Sequence, residues 1–187
     1  MISIDKENME LAEQALAGMP GAVSKAAARA INRAISKAKT NAVKKVTAEY
    51  YISANRVEET IKVKKSTASI LQGSIFSKGR SRALSYFKTN PNVIGQKPKN
   101  GIFAKVKKSS AGGYIQRGFF TKFRSGHKAV VERVGKKSLP VKEFVGPSVP
   151  SMLGSKSVRE YIEPIAEKEL NEAFTHEVNA YLKGYVK

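Results

Sequence analysis

The sequence predicts an α+β fold: a long N-terminal helix packed on a mostly antiparallel β-sheet, with a C-terminal helix. Three observations carry that expectation. Small and apolar residues recur at intervals of three and four from Ala22 to Glu49, the period of one helix face. Between Ile61 and Val134 the pattern changes to short alternating segments broken by Gly, Pro and Asn. A three-four stripe then returns at Ile162, Ile165/Ala166, Leu170, Ala173/Phe174, Val178 and Tyr181/Leu182.

The first element is read as a short helix from about Asp5 to Ala17. Asp5 is positioned to cap it, Ile4 and Met9 occupy the two positions of a hydrophobic staple, and Gly18-Met19-Pro20-Gly21 stops it. The long helix follows over 22–49. Its stripe runs Val23, Ala26/Ala27, Ala30/Ile31, Ala34/Ile35, Ala38, Ala42 and Val46. Alanine favours helix and lets another backbone approach closely. At 1.5 Å per residue this helix is about 40 Å long, a spine for other elements or other subunits. Ser53 is expected to cap a short helix over 54–60.

Strands are expected at 61–64, 67–77, 102–107, 114–123 and 129–134, paired antiparallel because their connections are too short for helical crossovers. Period two places Ile115, Arg117, Phe119, Thr121 and Phe123 on one face of the 114–123 strand, read as half-buried with core phenylalanines. Residues 88–101 have the composition of a mobile connection. Residues 139–154, punctuated by Pro140, Pro147 and Pro150, are expected to be extended but irregular. Ser157 and Glu160 could form a capping box, yet Pro164 would then lie inside a helix, so the last helix is expected to begin at Pro164 after a separate turn at 157–162. The organisation expected is a single domain over 1–187, with a helical arm at 1–50, a basic sheet region at 61–147 and a C-terminal helix at 157–183.

Charge is concentrated. The chain of 187 residues carries a net charge of +19, and residues 66–142 hold 17 Lys and Arg against one acid, Glu132. Residues 1–20 sum to −3 and residues 143–187 to −2, so a strongly basic middle lies between mildly acidic ends. Such a surface suits a polyanion, either nucleic acid or an acidic protein partner; a solvated face that only aids solubility is the plain alternative. Basic and aromatic residues interleave at Phe103–Lys108 and Tyr114–Arg124, a composition able to stack bases and neutralise phosphates. Sequence-specific readout has no support.

Other classes find little to stand on. Without cysteine there is no disulfide framework, thiolate zinc site or cysteine nucleophile. Asp5 is the only aspartate, and it lies at a helix start. His127 and His176 each lack a neighbouring carboxylate or histidine at a ligand spacing and read as an exposed turn and a helix end. No phosphate-loop or dinucleotide fingerprint occurs. No catalytic residue, metal site or cofactor is therefore expected, and the protein is read as no enzyme. Apolar runs are too short to span a bilayer, and the start Met1–Glu7 turns acidic where a signal peptide would be basic then apolar. A soluble protein made and used on the cytoplasmic side, without membrane contact, is expected.

Two stretches carry a family resemblance. One is Ala28-Arg29-Ala30-Ile31-Asn32-Arg33-Ala34-Ile35-Ser36-Lys37-Ala38-Lys39-Thr40, followed by the turn over 51–65. The other is Glu132-Arg133-Val134-Gly135-Lys136-Lys137-Ser138-Leu139-Pro140-Val141-Lys142-Glu143-Phe144, running on to Gly146-Pro147-Ser148-Val149-Pro150-Ser151-Met152-Leu153. In this order they resemble the prophage minor tail protein Z family, the tail-completion proteins of long-tailed phages. The resemblance implies a structural virion protein, assembled in the host cytoplasm, that acts late at the head-proximal end of the tail and helps head–tail joining or DNA positioning. It implies other tail and neck proteins as partners (the tail terminator and the connector), a homo-oligomeric ring, genomic DNA in the tail lumen as a further contact, and no catalytic residues. Candidate contacts to DNA or an acidic partner are Arg29, Arg33 and Lys37 on the spine and Lys105, Lys107, Arg117, Lys122 and Arg124 on the sheet. Candidate subunit contacts are Pro140, Pro147 and Pro150. The alternative is a nonspecific nucleic-acid-binding protein that never enters a particle.

Overall fold

The structure, a computed structural model, describes residues 2–96 and 98–184. It is α+β, as the periodicities require. In chain order the elements are α1 (Lys6–Ala15), α2 (Ala22–Glu49), α3 (Ala54–Glu58), β1 (Ile61–Lys64), β2 (Ser74–Ser77), β3 (Arg82–Ala83), a 3-10 turn (Leu84–Tyr86), β4 (Lys88–Asn90), β5 (Ile102–Lys105), β6 (Gly113–Ile115), β7 (Phe119–Lys122), β8 (Lys128–Arg133), β9 (Val141–Glu143), β10 (Val145–Gly146), α4 (Val149–Leu153) and α5 (Lys156–Leu182). Among the described residues every strand pair is antiparallel, and the strands form four small sheets, β1-β2, β3-β10, β4-β5-β6 and β7-β8-β9.

The chain divides into two compact units. The first comprises Met1–Ala42, Ile61–Ser77 and Ser155–Lys187, the second Val43–Thr60 and Lys78–Gly154. Residues 22–42 of helix α2 fall in the first unit and residues 43–49 in the second.

In the first unit the alanine stripe has its expected effect. Ala26, Ala27 and Ala30 are fully buried, and with Ala12, Leu16, Ala22 and Ala34 they form one core with Leu170, Ala173, Phe174 and Tyr181 of α5. Ile4, just before α1, and Met9 on α1 pack against that core. Asp5 stands at the cap position but makes no side-chain cap; its backbone N–H donates to Asn171 Oδ1 at 3.0 Å. Ser53 likewise precedes α3 without a side-chain cap bond.

The expected strand over 67–77 is mostly a turn. Asn32 on α2 grips Ser66 through two hydrogen bonds of 2.8 and 2.9 Å, and Thr67 and Ile70 bond each other's backbone, so only Ser74–Ser77 remains to pair with β1. Short polar side chains competing for the backbone account for the change. Pro164 does lie within α5, contrary to a helix beginning there. The carbonyl of Glu160, deprived of a donor, is on an exposed turn where water can bond it. The cap position is Ser155, not Ser157.

In the second unit the expected 114–123 strand is broken. The Gly118 N–H donates to the Ile115 carbonyl at 2.9 Å, closing a turn over 115–118 that leaves Arg117 outside any strand. The predicted face is thereby lost, and Phe120, not Phe119 or Phe123, is the buried phenylalanine. The 88–101 connection supplies a strand, β4, which pairs with β5; Lys97 lies outside the described residues. The 139–154 segment is more regular than its prolines suggest. It forms β9, β10 and α4, whose start is capped by Ser148 Oγ accepting from the Ser151 N–H at 3.2 Å, with Pro150 in the first turn where no N–H is needed. Val46, Val57, Ile102, Val130, Val131, Val149 and Met152 are among the buried residues of this unit.

Candidate functional site

The candidate cations divide between the units, and their electrostatic surroundings differ. On α2 of the first unit, Arg29 pairs with Glu177 at 3.5 Å and lies 5.6 Å from the Tyr181 ring centre. Arg33 and Lys37 share Glu169, at 3.2 and 3.7 Å. One turn of helix separates successive cations, so α2 presents a row of positive charge to the acidic row of α5. The candidate spine contacts therefore have partners inside the chain.

The second unit has few acids to offer. Lys105 ends β5 and Lys107 follows it; both have been drawn to the C-terminal end of α2, where Tyr50 bridges to Lys107, the Tyr51 N–H donates to the Val106 carbonyl at 2.9 Å and the Lys108 N–H to the Glu49 carbonyl at 2.8 Å. Lys108 Nζ donates to the Thr47 carbonyl at 2.7 Å, one of the carbonyls that a helix end leaves unpaired. Around the Tyr51 ring stand Lys88, Lys105 and Lys108, their ammonium nitrogens 5.3, 5.8 and 5.7 Å from its centre, while Lys107 lies 5.5 Å from the Tyr50 ring. None of the four lysines forms an ion pair among the described residues.

Lys88 and Lys105 are also direct cross-strand partners on β4 and β5. Like charges directly opposite each other on one sheet face are destabilising. The β7–β8 hairpin repeats the arrangement with Lys122 opposite Lys128, and exposed Arg124 lies in its turn. Arg117 is placed apart from both groups. It lines an open cleft of about 480 Å³ with Gln96, Gln116, Phe119, Arg133 and Lys136. Arg133 covers the Phe119 ring at 5.6 Å.

The aromatics expected to stack bases are mostly occupied. Phe103 and Tyr114 meet edge to face, with centres 5.3 Å apart, and Phe123 stacks on His127 at 5.9 Å. His127 is also less isolated than its sequence neighbours suggest: its Nε2 is 2.9 Å from Glu143 Oε1, brought there by the β8–β9 pairing. No hydroxyl or second carboxylate bonds that ring, and no cluster of three metal-ligating residues exists, among the described residues. Of the candidate subunit contacts, Pro140 is exposed, with its carbonyl accepting from the Val134 N–H at 3.1 Å, whereas Pro147 and Pro150 are half-buried on either side of the α4 cap.

Sequence reasoning missed Lys88, Lys108 and the two tyrosines as parts of one group. Lys88 was hidden in a segment read as a connection. A Tyr-Tyr pair immediately after a helix, with a lysine-rich strand end at 105–108, was the available signal.

The family model for prophage minor tail protein Z (GPZ) matches residues 12–187, all but the start of the chain. The chain belongs to the prophage minor tail protein Z family. No curated protein and no solved structure matches it. Membership makes it a structural component of a phage tail, and so a virion protein that interacts with other tail proteins. No helix among the described residues is long and apolar enough to cross a membrane.

Proposed function

We propose that this protein completes the head-proximal end of the tail and helps to join head to tail or to position the DNA, acting through basic surfaces and subunit contacts. The observation that carries the proposal is the contrast between the units. Spine cations pair with carboxylates within the chain, while the opposed lysines of the second unit have no ion-pair partner among the described residues. A fold keeps such a local conflict where a function outside the chain requires it. Lys105, Lys107, Arg117, Lys122 and Arg124 are the residues we assign to DNA or to acidic rims of neighbouring rings. Arg29, Arg33 and Lys37 would first have to leave Glu177 or Glu169. Pro147 and Pro150, with exposed Pro140, are assigned to contacts between copies in a homo-oligomeric ring, next to the tail terminator and the connector.

Charge reversal at two sheet residues, Lys122→Glu with Arg124→Glu, tests this in phage. Both side chains are exposed, so folding should be spared. The expected result is a lysate with unjoined heads and tails or with particles that fail to inject. Normal infectious particles would contradict the proposal. Gold-labelled antibody against the protein should mark the head-proximal end of purified tails; labelling at the distal tip would equally overturn it.

A further inference from the structure

The strongest unexplained feature is the group around Tyr51. Three ammonium groups are held within 5.8 Å of one ring centre, so any two lie within about 12 Å of each other. Two of them, Lys88 and Lys105, sit directly opposite on adjacent strands, and a fourth, Lys107, stands over the neighbouring ring of Tyr50. The tyrosine faces offset part of the repulsion. Lys108 has a further partner in the Thr47 carbonyl. Among the described residues, Lys88, Lys105 and Lys107 have no partner but the rings.

We infer that this group is a binding site for the phosphate backbone of DNA, with Lys88, Lys105 and Lys107 neutralising phosphates and Tyr51 holding the first two in place. The inference deepens the proposed tail role and rests on it.

The choice of DNA over an acidic protein follows from the side chains. Every cation here is lysine, a compact point charge on a flexible stem with rotatable donors. Arginine, with its planar fork, is the residue suited to grip a carboxylate in a fixed geometry, and none joins this group. Lysines contact phosphates without demanding orientation, which gives the sequence-independent binding that lets a protein slide along a duplex. A duplex carries one negative charge per about 1.7 Å of axis, so several phosphates fall within reach of a cluster this small. The group also has a firm base. The backbone bonds from Tyr51 to Val106 and from Lys108 to Glu49 tie the strand end to the end of α2.

The test uses the full chain, a short mixed-sequence duplex and polyglutamate as the competing polyanion. Lys88→Gln with Lys105→Gln removes two charges and keeps the side-chain stems. We expect the slope of log affinity against log salt for the duplex to become shallower by about 1.8, two contacts at roughly 0.9 each. The thermal midpoint should hold or rise, because a like-charge pair has been relieved. Lys62→Gln with Lys64→Gln, exposed on β1 of the first unit, removes the same charge and should leave the slope unaltered. An unchanged slope in the first variant, an equal loss in the second, or equal weakening toward polyglutamate would each overturn the assignment. So would a lower thermal midpoint, which would mean that the lysines serve an internal partner. If DNA binding fails these tests while phage lacking the protein still leave heads and tails unjoined, only the phosphate site falls and the tail role stands.

Discussion

Phe174→Ala should be the most damaging single substitution in the first unit, and its cost can be worked from the packing. Phe174 is 1% exposed and lies in a core whose other members are largely alanines of α1 and α2. Truncation loses the transfer energy of the ring and leaves a void. Alanines have no rotamers with which to fill that void, so little of it closes. A residual cavity of roughly 100 Å³ at about 24 cal/mol per Å³ contributes about 2.4 kcal/mol beyond the transfer term, placing the total at about 4 kcal/mol, within the usual range for Phe→Ala. Equilibrium urea unfolding followed by far-ultraviolet circular dichroism reads the change. With two compact units, the transition assigned to the α-helical unit is the one expected to move. Phe76→Ala, at a side chain 45% exposed on β2, is the control and should cost no more than about 0.5 kcal/mol. A loss below about 1 kcal/mol at Phe174 would refute the reasoning, because it would mean that α2 and α5 can close over the gap or do not share this core.

Other substitutions probe other parts of the account. Glu169→Gln removes the carboxylate shared by Arg33 and Lys37; since the cations are each 56% exposed, the loss should be only about 0.5–1 kcal/mol and should shrink in high salt, as urea midpoints at two ionic strengths will report. Pro164→Ala restores a donor for the Glu160 carbonyl in a 27-residue helix and should stabilise by about 1–2 kcal/mol; a destabilised variant would show that packing depends on the proline. Gly101→Ala should cost about 2 kcal/mol or more, because Gly101 has φ +78° and an added Cβ would meet the Ile115 carbonyl and the Gln116 backbone beside β6. Hydrogen exchange should show the loss first in the β5–β6 amides, and protection spread evenly over the second unit would contradict that origin.

What the sequence revealed about the fold follows from how local the signals were. The bounds of α2 were legible because small and apolar residues recur every three or four positions from Ala22 to Val46 and Gly21 precedes them. The edges of β1, β5 and β8 were legible to within two residues for a similar reason. The break at Ile115–Gly118 was misread because a single glycine in an alternating run can mark a turn as well as a strand interior. Pro164 reads as a start because sequence does not show that this turn of α5 is exposed, where water can bond the Glu160 carbonyl. The candidate site was legible as composition, in the 66–142 charge excess, and in Lys105 and Lys107. Its other members were not. Lys88 meets Lys105 only through the β4–β5 register, and His127 meets Glu143 only through β8–β9, pairings that no short window contains.

The central claim is that this tail protein acts at the head-proximal end, and electron microscopy of a lysate from phage lacking its gene tests it most directly. Beside wild type, the account predicts filled heads lying free among separate tails of normal length, or complete-looking particles that do not inject. Normal, infectious particles, or tails that are absent or of altered length, would contradict it.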